Sequence, residues 1–218
     1  MATPMTEILL TGFEPFDGDT LNPSAQVAKA LDGRTIAGAR VRAACLPTAF
    51  DASLQALEAA IRDTRPVLAL ALGQAGGRCD LTVERVAINI DDARIPDNAG
   101  ARPIDVPIVC GGPVAYFSTL PIKAIVSALR ARGLPASVSQ TAGTFVCNHV
   151  FYALQHRLHG SPVRSGFIHL PCLPEQVRDR PHTPSLPLTA MVEGVAIALE
   201  VALTHVGADL RVPGGALD

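Results

Sequence analysis

The stretch Val67–Leu72 constrains the fold more than any other part of this chain, because Val-Leu-Ala-Leu-Ala-Leu is apolar without a break and stops at Gly73. A strand with one wet face alternates. An unbroken one must be covered on both faces, as in a parallel sheet with helices above and below. The C-terminal end of such a strand is expected to open on a cleft. The flanking patterns agree. Glu7–Thr11 and Arg40–Leu46 read as strands, Asn22-Pro23-Ser24 opens a helix carrying Val27, Ala28, Ala30 and Leu31, and Thr48 with Asp51 is expected to cap a helix through Phe50, Leu54, Leu57 and Ile61. Leu81–Ile90 reads as extended, and Asp91–Pro103, rich in Asp, Pro, Asn and Gly, as a long ordered loop. A helix from Pro121 stops at Gly133, Ser137–Thr141 leads through Gly143 into a helix containing Cys147, Gly166–Leu170 is the last core strand, and Leu188–Leu203 a long buried helix. Strands alternating with helices predict an α/β fold, a three-layer α/β/α sandwich with a mixed, largely parallel central sheet. At 218 residues with 48% hydrophobic content, the expectation is a single catalytic domain over 1–218, with about 207–218 fraying.

Composition removes several function classes. A net charge of −2, scattered Lys and Arg and 4% aromatics argue against nucleic acid as a partner. The start Met1-Ala2-Thr3-Pro4-Met5 has no basic n-region, and no apolar segment reaches the ~20 residues of a membrane span, since Glu193 and Glu200 interrupt the last one. A cytoplasmic location without membrane partners is expected. Five widely spaced cysteines with no C-x-x-C read as free thiols rather than a disulfide framework or zinc ribbon.

Three residues carry candidate chemistry. Cys147 stands where a strand-like segment turns into a helix, and orphan N–H groups with the positive end of the macrodipole favour a thiolate there. His169 ends a strand. Glu84 interrupts an apolar stretch, where a buried carboxylate needs a partner. Together they would make a nucleophile, a base and an orienting group for acyl transfer. Each also has a plain structural reading: Cys147 as a core thiol on the stripe with Val150, Leu154 and Leu158, Glu84 as an ion pair with Arg85 or Arg94, and His169 as a satisfied core histidine.

Thr11-Gly12-Phe13-Glu14-Pro15-Phe16, Glu84-Arg85-Val86-Ala87-Ile88-Asn89, Asp92-Ala93-Arg94-Ile95-Pro96-Asp97-Asn98, Thr144-Phe145-Val146-Cys147-Asn148 and Gly166-Phe167-Ile168-His169-Leu170-Pro171 together resemble the pyroglutamyl peptidase I (pyrrolidone-carboxylate peptidase) family over about Ile8 to Leu203. The resemblance implies a cysteine peptidase that hydrolyses the amide bond after an N-terminal pyroglutamyl residue of peptides, with Cys147 as nucleophile, His169 as base and Glu84 as third member. It implies no metal and no cofactor. Phe13, Phe16 and Phe145 match the slot for the flat lactam, Thr48, Val146 and Ile95 correspond more loosely, and Gln74 and Arg94 match polar positions beside the substrate. It also suggests a homo-oligomer, a tetramer. Physical reasoning supports such a substrate: pyroglutamate has no free amine to anchor, and three Phe residues in a chain with no Trp and two Tyr supply an apolar slot. Departures are Cys172, where an aromatic residue is expected, and His149, which should point away from the Cys147 face. Two rival readings are a metal hydrolase using Cys147, His149, His156, His159, His169 and Cys172, and a catalytically silent binding module. Gly73-Gln74-Ala75-Gly76-Gly77 fits neither phosphate-binding pattern and reads as a turn.

Overall fold

The computed structural model describes residues 5–215. In chain order the elements are β1 (Glu7–Phe13), α1 (Pro23–Leu31), β2 (Thr35–Ile36), β3 (Ala39–Leu46), α2 (Phe50–Thr64), β4 (Leu68–Gln74), β5 (Leu81–Glu84), β6 (Val86–Ile88), β7 (Ala115–Phe117), α3 (Ile122–Ala131), β8 (Ala136–Ser139), α4 (Val146–Leu158), β9 (Arg164–Leu170), a short 3-10 helix at Pro174–Val177 and α5 (Leu188–Thr204). The unbroken apolar run is β4, buried at every residue but Gln74, at the centre of a seven-stranded sheet of order β2-β3-β1-β4-β9-β5-β8. The β3–β1, β1–β4, β4–β9 and β5–β8 pairs are parallel; β2–β3 and β5–β9 are antiparallel. The fold is the expected mixed, mostly parallel sheet flanked by helices.

Side chains alternate across a strand, so each strand feeds both layers. Ile168 and Leu170 of β9, with Leu81 and Val83 of β5, pack under α1, α3 and α5. Phe167 of β9 and Ala69 and Ala71 of β4 pack under α2 and α4. His169 and Glu84, offset by two from Phe167 and by one from Val83, therefore belong to the α2–α4 face. Alternation alone puts base and carboxylate on the side where Cys147 enters.

Three local expectations differ from the structure. Leu81–Ile90 is not one strand: it breaks at Arg85 into β5 of the main sheet and β6, which pairs with β7 in a separate two-stranded ribbon. Arg85 turns outward to Gln140 Oε1 and the Gly214 carbonyl. Secondly, neither Thr48 nor Asp51 caps α2. Its first N–H, from Phe50, donates to Asp97 Oδ2 at 2.8 Å, while the Thr48 hydroxyl donates to the Glu14 carbonyl at 2.7 Å. Thirdly, residues 207–215 are tied down where fraying was expected: Asp209 accepts from the Lys123 and Ala124 N–H groups at the start of α3, and Gly214 O accepts from Arg85 and Gln140. Residues 216–218, also expected to fray, and the start 1–4 lie outside the described residues. Among the described residues no helix is long and apolar enough to cross a membrane.

Candidate active site

The N-terminus of α4 is held by three consecutive side chains that leave in three directions. Cys147 points at the sheet. Asn148, fully buried, donates from Nδ2 to the Ile88 and Ile90 carbonyls and accepts the Ile88 N–H at Oδ1. His149 lies away from the thiol, as expected, with Nδ1 2.7 Å from Asp91 Oδ2 and its ring edge-on to Phe50. Asn148 and His149 thus fasten the start of the long loop to the helix that carries Cys147. Among the described residues no side chain caps α4, and the His149 N–H is the first to reach a carbonyl, that of Phe145. The N–H groups of Val146, Cys147 and Asn148 are left as the helix's orphan donors.

The seat of the thiol is made by a missing side chain. A Cβ built on Gly73, at the end of β4, would fall 2.8 Å from Cys147 Sγ and 2.7 Å from Phe167 Cζ. Only glycine lets the sulfur settle on the sheet there. Gly73 pairs in register with His169, so the strand beside the sulfur carries the imidazole. His169 Nδ1 lies 2.7 Å from Glu84 Oε1, and Phe167 packs on the imidazole with ring centroids 4.8 Å apart. With Nδ1–H donating to the carboxylate, Nε2 is the basic nitrogen. Thr82 is directly across from His169 on β5, so Glu84 reaches it diagonally, a normal cross-strand contact for long side chains. Among the described residues no hydrogen bond joins Cys147 to His169; such contacts often tighten only with substrate present.

The ion pairs considered for Glu84 from sequence, to Arg85 or Arg94, are not made. Its partner is Arg78, whose Nη1 lies 2.7 Å from Oε1 and also donates to Thr82 Oγ1, while Nη2 donates to the Thr141 carbonyl at 3.1 Å. Sequence reasoning missed Arg78 because Gly73–Gly77 reads as a plain turn. It is one: Arg78 N–H donates to Ala75 O, and Gly77 has φ +91°, as the third residue of a type II turn requires. That turn aims the guanidinium back across β5. The available signal was a carboxylate in an apolar strand with a cation six residues upstream.

The electrostatics differ from the expectation for a helix N-terminus. Cys147 is half-buried as a residue, but its sulfur is closed in, and burial followed by the Glu84 carboxylate pushes the thiol from 9.0 up to about 12, with Arg78 pulling the other way. Burial also lowers the His169 imidazole below its ordinary 6.5, against the raising effect of Glu84 and with Arg78 lowering it further. Both shifts run toward the uncharged forms, a protonated thiol and a neutral imidazole. Because a raised thiol value keeps the proton on sulfur, alkylation of Cys147 by iodoacetamide, followed on its own peptide by mass spectrometry, is expected to climb with pH beyond 9. A lowered imidazole value correspondingly places the acid limb of kcat/KM below pH 6.5. An alkylation plateau already reached below pH 7 would instead indicate a resting thiolate–imidazolium pair.

The aromatic candidates divide into two groups. Phe13 is buried and meets Phe167 at a 6.5 Å centroid distance, forming the floor beneath the imidazole. Phe16 and Phe145 are half-buried and face each other at 6.2 Å, with Phe50 set edge-on to Phe145 at 5.4 Å. Thr48 is buried and spent on Glu14 O, so its hydroxyl positions the loop carrying Phe16. The Val146 side chain is core, leaving only its N–H to face a ligand, and Ile95 is half-buried on the long loop. Gln74 turns to Asp19, Cys172 and Gln176. Arg94 is exposed and makes no hydrogen bond or ion pair among the described residues. Cys172 is buried against Gln74 and Gly76. The histidines crowded in sequence disperse: His156 bonds Tyr116 and His149 bonds Asp91, and no three His, Cys, Asp or Glu residues among those described converge as metal ligands. All five cysteines are free.

Comparison with known proteins matches the chain to a family described as pyroglutamyl peptidase over residues 6–205. It is 60% identical over 213 residues to the pyrrolidone-carboxylate peptidase of Klebsiella pneumoniae, covering 97% of this chain and 99% of that protein, and 59% identical to that of Chromobacterium violaceum, covering 98% and 100%. Among solved structures it is similar to pyroglutamyl peptidase I of Bacillus amyloliquefaciens, with a TM-score of 0.92, 44% identity and coverage of 96% and 100%. It is similar also to the pyrrolidone carboxyl peptidase of Thermococcus litoralis, with a TM-score of 0.92, 39% identity and the same coverage.

Proposed function

The chain belongs to the pyroglutamyl peptidase family, and from that premise we infer that Cys147, His169 and Glu84 are its nucleophile, base and orienting carboxylate. Its activity is that of a cysteine peptidase that removes N-terminal pyroglutamate from peptides. The observation that carries the residue assignment is the seating of Cys147 Sγ on Gly73, the strand neighbour of a histidine whose Nδ1 is held by a buried carboxylate.

In the mechanism this supports, His169 Nε2 takes the thiol proton as Sγ attacks the pyroglutamyl carbonyl. The oxyanion develops toward the orphan N–H groups at the start of α4. Collapse expels the amine, which leaves with the proton from His169, and a thioester remains on Cys147. Water, deprotonated by His169, attacks the thioester, releasing pyroglutamate and returning the proton to sulfur. Glu84 keeps the imidazole in the tautomer that makes Nε2 the base. Phe16 and Phe145 flank the lactam, Phe13 and Phe167 support the imidazole from below, and Arg94, exposed on the long loop, stabilises the developing oxyanion or shapes the site. Residues 1–218 act as one catalytic domain in the cytoplasm, needing no cofactor or metal. Assembly as a homotetramer is supported by the family resemblance and by Val114 and Phe117, exposed around β7; light scattering reads it.

Release of a chromogenic amine from its pyroglutamyl amide, with the prolyl amide and a chelator run in parallel, tests this reading. A site that hydrogen-bonds the lactam is left with unpaired groups by proline, so the prolyl amide is expected to react about 10³-fold or more slowly, with no effect of the chelator. Equal turnover of the two amides would remove the lactam slot, and chelator-sensitive turnover would point to a metal hydrolase.

A further inference from the structure

The turn after β4 delivers a cation that the mechanism above does not use. Glu84 is fully buried, its Oε2 has no hydrogen-bond partner among the described residues, and its Oε1 is shared by His169 Nδ1 and Arg78 Nη1, each at 2.7 Å. Arg78 is the only Arg or Lys paired with this carboxylate among the described residues. A buried carboxylate is costly unless it is paired, and without the guanidinium the Glu84 side chain would be held by His169 Nδ1 alone. The guanidinium is itself fixed at three points, on Glu84, on Thr82 Oγ1 directly across from His169, and on the Thr141 carbonyl in the segment leading to α4. It joins the strand bearing Glu84 to the approach to the nucleophile.

We propose that Arg78 is a positioning residue of the active site, which pairs with Glu84 and aligns it so that His169 is held as a base with Nε2 toward Cys147. This rests on the triad assignment above. Among the described residues the titratable or charged groups around His169 are Glu84 from β5, Arg78 from the β4–β5 turn and Cys147 from α4, whose sulfur rests on Gly73, the strand neighbour of His169. Arg78 opposes protonation of the imidazole, so its removal should let His169 hold a proton more readily.

The test uses wild type, Arg78→Met and Arg78→Lys with the pyroglutamyl amide, separating kcat from KM and recording kcat/KM against pH, with circular dichroism and a melting curve for each. Arg78→Met is expected to lose about 100-fold in kcat with KM within about threefold, and its acid limb to move to higher pH. Arg78→Lys keeps the charge but not the three-point fork; its acid limb should stay at the wild-type position while kcat falls about tenfold. If Arg78→Met does not fold, the folded Lys variant still decides: an unchanged kcat overturns the proposal. It is also overturned if folded Arg78→Met keeps wild-type kcat and acid limb, or if the loss falls on KM alone, which would put Arg78 against the substrate. Wild type that fails to turn over the amide, or a fully active Cys147→Ser, would sink the triad assignment itself and is seen without reference to Arg78.

Discussion

Cys147→Ser is expected to abolish hydrolysis of the pyroglutamyl amide, lowering kcat by about 10⁴-fold or more while the protein stays folded. Removing the nucleophile of an enzyme of this kind costs about as much as dismantling the whole catalytic unit. Here the loss has a specific cause. Burial disfavours both the thiolate and the imidazolium, so proton transfer from Cys147 to His169 is opposed by the site. A serine hydroxyl, far less acidic than a thiol, asks more of the same weakened base. Oxygen also fits the seat on Gly73, so near-UV circular dichroism and the melting temperature should match wild type. Measurable turnover within a factor of ten of wild type would show that Cys147 is not the attacking atom.

The second large effect falls on a residue with no side chain. Gly73→Ala brings a methyl group to within 2.8 Å of Cys147 Sγ and 2.7 Å of Phe167 Cζ, closer than such carbons approach. Something must yield, and the sulfur and the Phe167 ring yield more readily than the sheet backbone, where Gly73 is paired in register with His169 of β9. A displacement of about 1 Å at a reacting atom can cost about 100-fold in rate, and overpacking of this kind typically costs about 1–3 kcal/mol of stability. The expected signature is a kcat lowered by about two orders of magnitude, a depressed melting temperature and slower alkylation of Cys147. Activity within tenfold of wild type would mean that the sulfur does not rest on Gly73 in the working enzyme.

What the sequence made legible follows the range of the interactions concerned. The Leu68–Gln74 strand was readable because a doubly covered strand must be apolar throughout, and the helices at Pro23, Ile122 and Leu188 because local periodicity and stop signals mark them. Cys147, His169 and Glu84 stood out because each is a polar or reactive group at a place where an apolar pattern turns or is interrupted. Contacts made by distant residues were not readable. Asp97 caps α2 from 47 residues away, displacing the local expectation of Thr48 and Asp51. The three residues of β7 are too few to show a period, and without them the departure of β6 from β5 at Arg85 has no visible cause. Arg78 was hidden by its setting, since a glycine-rich turn does not say where the next side chain will be aimed. The polar pocket candidates were the least legible: Thr48 and Gln74 are committed to protein partners, which only the folded loops reveal.

The insertion of β9 between β4 and β5 also controls when a new chain becomes an enzyme. Strand β4 meets β9 across nearly a hundred residues, Leu68 opposite Arg164, and β5 and β8 join the rest of the sheet only through β9. A ribosome-bound chain that has emerged as far as α4 already carries Cys147, yet it has neither His169 nor the strand that brings Glu84 beside β4. Such long-range pairing comes late and slowly in folding. If Cys147 and His169 act as proposed, a half-made molecule of this peptidase is proteolytically inert, and first turnover reports that β9 has been put in place.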